Sequence, residues 1–385
     1  MRKENCVLPL ALGTFALGMS EYVMMGILPD VASSLNISIP KAGNFISLYA
    51  LGVVVGSILL VIFARKKPLK EILIALTVII TLGNFFAMLS INYPMLGLFR
   101  FISGLPHGGF FGVGAIVADR LADKNKKTQM VAYMVSGMTI ANLFGIPFGT
   151  FISHNFSWRI TFLFVVLLGL MVIYSIQKMV PYISPLPNNG FRGQFKFLKS
   201  LAPWLLILAV VMGNGGIFCW YSYINPLLCE VSNIPEKYIS LIMILSGGGM
   251  CLGNILGGKL ADRFSPSLIA ASVQGIATLA LIFIILFAQN PILSVILMCI
   301  CTASLFAISA PQQMLLIKNA KGGEMLGASC SQISFNLGNA LGAFIGAFPI
   351  TFGFGYRFCA LPGAIFTFLA ALALFYFYKR YEAKN

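Results

Sequence analysis

FRFISGLPHGGFFGVG, residues 99–114, places an arginine and a histidine inside an apolar run. The run is long enough to belong to a membrane span, where an ionisable side chain is costly. Such a group is therefore first interpreted as part of a functional site that faces protein or water rather than lipid. Arg100 and His107 are the first candidate functional residues.

The composition supports a membrane protein. The 385 residues are 58% hydrophobic and only 10% charged, with a mean hydropathy of +0.90, whereas soluble domains are about 25% charged. The net charge of +15 does not indicate a nucleic-acid partner, because the basic residues form short clusters between long apolar runs, as membrane loops do.

Apolar runs of about 20 residues, separated by Pro, Gly and charged breaks, predict an all-α polytopic protein with twelve transmembrane helices. The first run is too long for a signal peptide and is predicted to be an uncleaved span. The predicted spans, numbered 1 to 12 in chain order, are 6–28, 42–63, 70–91, 94–118, 128–153, 158–181, 201–229, 238–260, 267–288, 291–317, 325–350 and 356–378.

The charges of the loops predict the orientation. One set of alternate loops holds most of the lysines and arginines, and the other set holds only Lys41, Arg159, Lys237 and Arg357. The positive-inside rule then predicts that both termini are cytoplasmic, in a bacterial inner membrane protein that crosses the bilayer many times.

The two halves of the chain repeat at an offset of 197 residues. The matched positions include Gly18 with Gly215, Pro29 with Pro226, Asn36 with Asn233, Gly52 with Gly249 and Gly145 with Gly342. This duplication predicts two six-helix bundles, 1–181 and 201–385, joined by a cytoplasmic linker at 182–200. Parallel repeats of this kind are typical of secondary transporters.

Glu21 is the only carboxylate well inside a predicted span. Counted from Leu28, it lies about 10 Å down the helix, the same depth as Arg100 counted from Pro94. Burying the two charges together costs less than burying either alone, which predicts a pairing of Glu21 with Arg100, directly or through water. The alternative is a carboxylate that snorkels to the surface.

His107 lies two turns deeper than Arg100 on the same predicted helix face. With an ordinary pKa near 6.5 it is a natural proton carrier, although a neutral, hydrogen-bonded histidine in a helix contact fits the sequence equally well. The neighbouring Pro106 removes a backbone hydrogen bond and loosens span 4 there.

The other motifs indicate packing rather than chemistry. Glycines spaced by four residues in spans 2, 5, 8 and 11 allow close helix approach and predict surfaces on which helices can rock. The eight cysteines lie in or beside apolar runs without CxxC spacing, so no disulfide, metal site or cofactor is expected.

Several segments together resemble the major facilitator superfamily, and most closely the drug:proton antiporter group and its AraJ-like permeases, to which arabinose or sugar efflux is ascribed. The segments are LGTFALGMSEYVMMGILP in span 1, FRFISGLPHGGFFGVGAIV in span 4, MVSGMTIANLFGIPFGT in span 5, FSWRITFLF at span 6 and SAPQQMLLIKNAKGGEMLGA in spans 10 and 11.

The resemblance implies two bundles around a cavity lined by spans 1, 4, 7 and 10, with spans 2, 5, 8 and 11 at a rocking interface. Arg100 with Gly104 is similar to the span 4 motif associated with proton coupling. The span 5 antiporter motif is matched by Gly137, Gly145, Pro147 and Gly149, but Ile146 interrupts its adjacent Gly-Pro, which weakens the inference of export.

The cytoplasmic loop motif is intact only in the second half of the chain. There it reads GKLADRF, with Asp262 and Arg263, whereas the counterpart VIFARKK in the first half carries Arg65 in place of the aspartate. The charge relay of that aspartate in relatives is therefore not expected in the first half.

The candidate substrate residues are aromatic and amide side chains on the cavity spans. Such groups could stack on and hydrogen-bond a sugar, or could shape an apolar cavity for a drug-like compound. They are Tyr22, Asn214, Phe218, Trp220, Tyr221, Gln312 and Gln313.

The sequence therefore predicts proton-coupled efflux of a small organic solute by alternating access, in a monomer whose partners are the solute, protons and the lipid bilayer. Proton-coupled uptake by symport is the main alternative. A membrane enzyme acting on lipid or glycan is a remote one, because the sequence contains neither GxSxG nor HExxH.

Overall fold

The computed structural model describes residues 7–63, 67–122, 127–185, 197–320 and 324–383, in which no β-strand occurs. Twelve helical segments are long and apolar enough to cross a membrane, as predicted. In chain order the spans are Leu8–Ser34; Ile39–Phe63; Leu69–Met88; Tyr93–Gly104 with Pro106–Leu121; Lys127–Ile140 with the π-helical turn Ala141–Gly145 and Ile146–Asn155; Trp158–Met179; Leu201–Tyr221; Ile239–Arg263; Pro266–Phe287; Pro291–Ala307 with Ser309–Asn319; Glu324–Thr351; and Ala360–Phe377.

Polar caps and prolines fix where several spans begin. Asn290 accepts hydrogen bonds from the backbone N–H groups of Ile292 (3.0 Å) and Leu293 (3.1 Å), and Asn92 accepts from Met95 (3.0 Å). These caps satisfy donors that a helix start leaves unpaired, and the prolines in the first turns of spans 4, 9 and 10 have no N–H to satisfy.

Span 1 extends six residues beyond its predicted end, to Ser34. The prediction ended it at Leu28 because a proline and an aspartate follow, but Pro29 lies inside the helix and Asp30 has partners in span 5. Asp30 accepts a hydrogen bond from the Ser153 hydroxyl and pairs with His154 Nδ1 at 3.2 Å. The tertiary contacts thus satisfy the charge that was expected to end the span.

The chain forms two compact units. Met1–Ile37 and Leu48–Asn188 make up the first, and Ser38–Ser47 and Asn189–Asn385 make up the second. In the first unit span 1 packs against span 5 and span 3 against span 6; in the second, span 7 packs against spans 11 and 12 and span 8 against span 10. Residues 186–196, most of the predicted linker, lie outside the described residues.

The predicted duplication is visible in the packing of the glycines. A Cβ on Gly18 would meet Ala141, and one on Gly215 would meet Gly338, which lies 197 residues after Ala141. Asn36 and Asn233, also at that offset, both adopt the left-handed backbone conformation, with φ of 50° and 54°. The two units therefore share local geometry as well as sequence pattern.

Candidate functional site

Glu21 is the middle residue of the 27-residue helix of span 1. It lies about 20 Å from either end at the rise of an α-helix, and it is 6% exposed. A carboxylate at this depth cannot snorkel to a membrane surface. The predicted depth of about 10 Å was too shallow because the span was ended too early.

Span 4 is broken between its two ionisable residues. The helix Tyr93–Gly104 carries Arg100, the helix Pro106–Leu121 carries His107, and Leu105 interrupts them. Pro106 has no N–H for an intrahelical hydrogen bond, which gives the break the origin predicted from the sequence. Arg100 is fully buried and His107 is 3% exposed.

Glu21 contacts His107. The Oε2 atom of Glu21 is 3.6 Å from Nε2 of His107, and both side chains are almost entirely shielded from solvent. His107 follows Tyr93, the start of span 4, by 14 residues, about 21 Å, so it is level with the carboxylate. The predicted pairing of Glu21 with Arg100, directly or through water, stays a prediction; the guanidinium bonds to the carbonyl oxygen of the neighbouring Ser20.

Arg100 contacts the same site from one side. Its Nη1 donates a hydrogen bond to the carbonyl oxygen of Ser20 (2.8 Å), and its guanidinium carbon lies 4.4 Å from the ring centroid of Tyr49 and 5.8 Å from that of Phe162. Nε and Nη2 have no hydrogen-bond partner. Arg100 is thus bonded to Ser20, the residue before Glu21, and its Nε and Nη2 donors remain available.

Tyr49 in span 2 joins the two basic residues and was not predicted. Its hydroxyl and Nδ1 of His107 are 3.0 Å apart and share a hydrogen bond, while its ring lies under the guanidinium of Arg100. With Glu21 on the Nε2 side of the imidazole, the tautomer that points N–H at the carboxylate has Nδ1 as acceptor for the Tyr49 hydroxyl. Phe111 stacks on the other face of His107 at 5.2 Å between ring centroids.

Gly104 explains how Tyr49 reaches the site. A Cβ on Gly104 would overlap the carbonyl oxygen of Tyr49, and one on Gly52 would overlap the carbonyl oxygen of Phe101. The backbones of spans 2 and 4 are therefore in direct contact here. This contact brings the Tyr49 side chain between Arg100 and His107.

The span 5 motif residues pack against span 1. A Cβ on Gly137 would overlap the carbonyl oxygen of Ala11, and one on Gly149 would come within 2.6 Å of Val23. Gly145 is the last residue of the π-helical turn Ala141–Gly145, and Pro147 follows in the next helix. The glycines predicted to form a rocking surface thus make close contacts within the first unit.

The predicted substrate residues of the second unit are buried polar and aromatic groups. Phe218, Trp220 and Tyr221 are at most 1% exposed, and the Tyr221 hydroxyl is 3.1 Å from the Ser246 hydroxyl. Asn214 donates to the carbonyl oxygen of its own helix neighbour four residues earlier (3.1 Å).

Buried amides without a hydrogen-bond partner occur in both units, at Asn142 in the first and at two glutamines in the second. Gln312 is 1% exposed, and neither its amide nitrogen nor its amide oxygen has a hydrogen-bond partner; Gln313 is half-buried. Gln274 in span 9, which the sequence analysis missed, is also buried with both amide atoms unpaired. Buried polar groups are normally paired, so these amides are available to water or a polar ligand.

The remaining predicted residues are Tyr22, Asp262 and Arg263. Tyr22 belongs to the first unit and is 6% exposed. Arg263 is exposed at the end of the span 8 helix, and the Asp262 side chain lies outside the described residues. Among the described residues no cluster of His, Cys, Asp and Glu could hold a metal ion, and the described cysteines are free thiols.

Residues 10–329 match the family model described as Major Facilitator Superfamily. The chain belongs to this superfamily. The Escherichia coli (strain K12) protein named "Putative transporter AraJ" is 47% identical over 384 residues, covering 99% of this chain and 98% of its own.

Other relatives agree with the superfamily assignment. The inner membrane transport protein YdhP of Escherichia coli (strain K12) is 36% identical, over 97% of this chain and 96% of its own. The fold is also that of the crystal structure of D-xylose-proton symporter, with a TM-score of 0.76, 16% identity and coverage of 98% of both chains. The chain is therefore a polytopic membrane transporter of this superfamily, with twelve helices in two six-helix bundles, and is not an enzyme.

Proposed function

We propose that this transporter exports a small organic solute in exchange for protons by alternating access. The observation that carries the proposal is the buried pair of Glu21 and His107, 3.6 Å apart at the middle of span 1. Ionisable groups at such depth are characteristic of proton relays in transporters. The solute is either a sugar similar to arabinose or an amphipathic, drug-like compound.

In this mechanism Glu21 binds the transported proton. When it is ionised, its charge is compensated by Arg100, which bonds to the adjacent Ser20 carbonyl, and by the N–H of His107. When it is protonated, these attractions weaken, and the contact between spans 1 and 4 becomes less favourable. Protonation can thus shift a conformational equilibrium to which both spans contribute.

The roles of the other groups follow from their positions. His107 tunes or relays the proton, because Tyr49 and Phe111 hold its ring against Glu21. Span 4 bends at the break formed by Leu105 and Pro106, and Gly104 allows span 2 to approach it closely.

The solute is proposed to contact the aromatic and amide residues of the cavity spans. Unpaired donors and acceptors on Gln312 favour a solute with hydroxyl or other polar groups, because an apolar solute would leave them unsatisfied. Tyr22, Asn214, Phe218, Trp220, Tyr221 and Gln313 are the other proposed lining residues.

We further propose that the protein is a monomer of the bacterial inner membrane with both termini in the cytoplasm. The charge difference between the two sets of loops supports this orientation. The proposed functional division is 1–181 and 201–385, joined by 182–200, with Asp262 and Arg263 acting in the cytoplasmic loop between spans 8 and 9.

Uptake by symport would use the same proton site. The observation that favours it is Gly145-Ile146-Pro147, which departs from the adjacent Gly-Pro of the antiporter motif. The sign of the coupled flux distinguishes the two directions.

The test uses purified protein in liposomes with an imposed pH gradient and either labelled arabinose or a fluorescent cationic dye. The wild type should move solute against its gradient in the direction opposite to proton flow, and Glu21→Gln should abolish this flux. Asp30→Asn, a change to the other carboxylate of span 1, is the matched control and should retain coupling. Coupled flux at the wild-type level in Glu21→Gln would refute the proton-site assignment, and solute flow in the direction of the protons would establish symport.

A further inference from the structure

A pocket of about 480 Å3 lies at the end of the second unit away from the C-terminus. It is formed by the connections between spans 7 and 8, spans 9 and 10, and spans 11 and 12. The pocket is remote in sequence from the proton site and combines two opposite charges with amide and aromatic groups. Its main lining residues are Glu230, Asn233, Gln289, Phe354, Tyr356 and Arg357.

Arg357 brings an unsatisfied cation to this pocket. Its guanidinium carbon lies 4.9 Å from the ring centroid of Phe358, and within the described part of the chain it makes no hydrogen bond or ion pair. A guanidinium offers five donors in a planar fork, a geometry that suits phosphate and carboxylate oxygens.

The first unit provides an internal comparison. Arg159, the counterpart of Arg357 in the repeat, donates to the hydroxyl of Ser34 (3.2 Å) and to the carbonyl oxygen of Ser90 (3.0 Å), and it lies over the Trp158 ring at 4.2 Å. The duplicated arginine thus has internal acceptors in one unit and none in the other. This difference leaves the Arg357 guanidinium available to an external acceptor.

The acceptors of the pocket complement the arginine. The carboxylate of Glu230 interacts with the Tyr356 hydroxyl and is exposed, and the amides of Asn233 and Gln289 are also exposed. Together they offer oxygen atoms to a primary ammonium group, which has three donors and no acceptor. A ligand with only negative charge would be repelled by Glu230, and a ligand with only positive charge by Arg357.

The level of the pocket matches that of lipid head groups. The lining residues lie at the ends of apolar spans, where the polar interface of a bilayer begins. Two large apolar side chains of the same connection, Phe352 and Phe354, are 73% and 64% exposed, which suits contact with the bilayer interface rather than with water.

We propose that this pocket binds a zwitterionic phosphoethanolamine group, with the phosphate at Arg357 and the ammonium at Glu230. The group is supplied either as the head group of phosphatidylethanolamine or as a free soluble phosphoester. The site is separate from proton coupling and does not depend on the proposed direction of transport.

The test measures binding of short-chain lipids to the purified full-length protein by native mass spectrometry. The probes are dioctanoyl phosphatidylethanolamine, phosphatidylglycerol and phosphatidylcholine, together with soluble glycerophosphoethanolamine. The wild type should bind phosphatidylethanolamine roughly tenfold more tightly than the other two lipids, since only its head group offers Glu230 a charged donor: phosphatidylglycerol has neutral hydroxyls, and the quaternary ammonium of phosphatidylcholine has no N–H.

Variants then assign the two charges. Arg357→Gln should weaken phosphatidylethanolamine binding about tenfold, and Glu230→Gln should remove the preference over phosphatidylglycerol. Lys237→Gln is the matched control, because this cation lies in the connection of spans 7 and 8, over the Tyr238 ring, and does not line the pocket.

Each outcome decides the proposal. Binding of glycerophosphoethanolamine that both variants weaken supports a soluble source, and binding of the lipid alone supports the head group. Equal affinity for the three lipids, or binding unchanged in both variants, overturns the proposal. If Arg357→Gln does not fold, Glu230→Gln alone still tests it, because the change in lipid preference requires no loss of affinity for phosphate.

Discussion

Span 8 offers a test of close helix packing with a control in the same helix. A Cβ on Gly253 would lie 2.7 Å from the carbonyl carbon and 2.8 Å from the Cα of Ala303 in span 10, with the carbonyl oxygen closer still. A Cβ on Gly258, five residues further along the same helix, would meet nothing within 4 Å. We expect Gly253→Ala to destabilise the protein relative to Gly258→Ala.

The expected size follows from two opposing effects. Replacing glycine by alanine inside a helix stabilises it by roughly 0.5–1 kcal/mol, and both variants gain this. Only Gly253→Ala must also push the backbones of spans 8 and 10 apart, and overpacking of this kind costs about 1–3 kcal/mol. The difference between the variants is therefore about 1–3 kcal/mol. With an unfolding entropy of about 2.1 cal/mol/K per residue, a chain of 385 residues shifts by about 1 °C per kcal/mol, so the midpoint of thermal unfolding should be about 1–4 °C lower for Gly253→Ala.

The midpoint can be followed with a thiol-reactive dye in detergent. Cys219, Cys301 and Cys359 are free and fully buried, so they react only when the helices separate. Gly249→Ala should lie between the other variants, because its Cβ would be 2.9 Å from the carbonyl oxygen of Cys299 and need move it only slightly. Equal midpoints for the variants at positions 253 and 258 would refute the argument that these backbones are in contact.

Two further changes test single contacts. Tyr49→Phe keeps the ring under Arg100 but removes the hydroxyl bonded to His107. We expect a loss of about 1 kcal/mol in stability and slower coupled transport. Wild-type stability together with wild-type transport would contradict the assigned role. Glu382→Gln removes a carboxylate that accepts hydrogen bonds at the start of span 9. We expect about 0.5–1 kcal/mol lower stability in low salt and a smaller difference in high salt. An effect independent of salt would contradict an electrostatic origin.

The fold was predictable because the bilayer restricts what the chain can do. Backbone groups in hydrocarbon must be paired internally, so apolar runs of about 20 residues can only be helices, and all twelve were found. The end of span 1 was not predictable from local rules. Pro29 and Asp30 usually end a helix, but Ser153 and His154, which are distant in sequence, provide the partners that allow it to continue.

The site was predictable in its residues and not in its contacts. Glu21, Arg100 and His107 were identified because charge inside a span needs an explanation. Which of them touch depends on depth, and because the end of span 1 was predicted six residues too early, the contact of Glu21 with His107 was not predicted. Tyr49 gave no signal, since an aromatic residue in an apolar span is ordinary; only its spacing of three from Gly52 placed it on the face that meets span 4.

The packing register shows that the charges are not required by the scaffold. Gly52 meets Phe101 and Gly249 meets Cys299, so positions in span 10 follow those in span 4 by 198 residues. The counterparts of Arg100 and His107 are then Met298 and Leu305, both buried.

At the offset of 197 residues in span 7, the counterpart of Glu21 is Phe218. The second unit forms the same close contact between spans 8 and 10 with apolar residues at all three positions, so helix packing alone cannot account for the ionisable residues of the first unit. Since buried charges without compensation cost several kcal/mol, their presence in one unit only is best explained by a function that the other unit does not perform. That asymmetry supports the proposal that proton coupling belongs to the first unit.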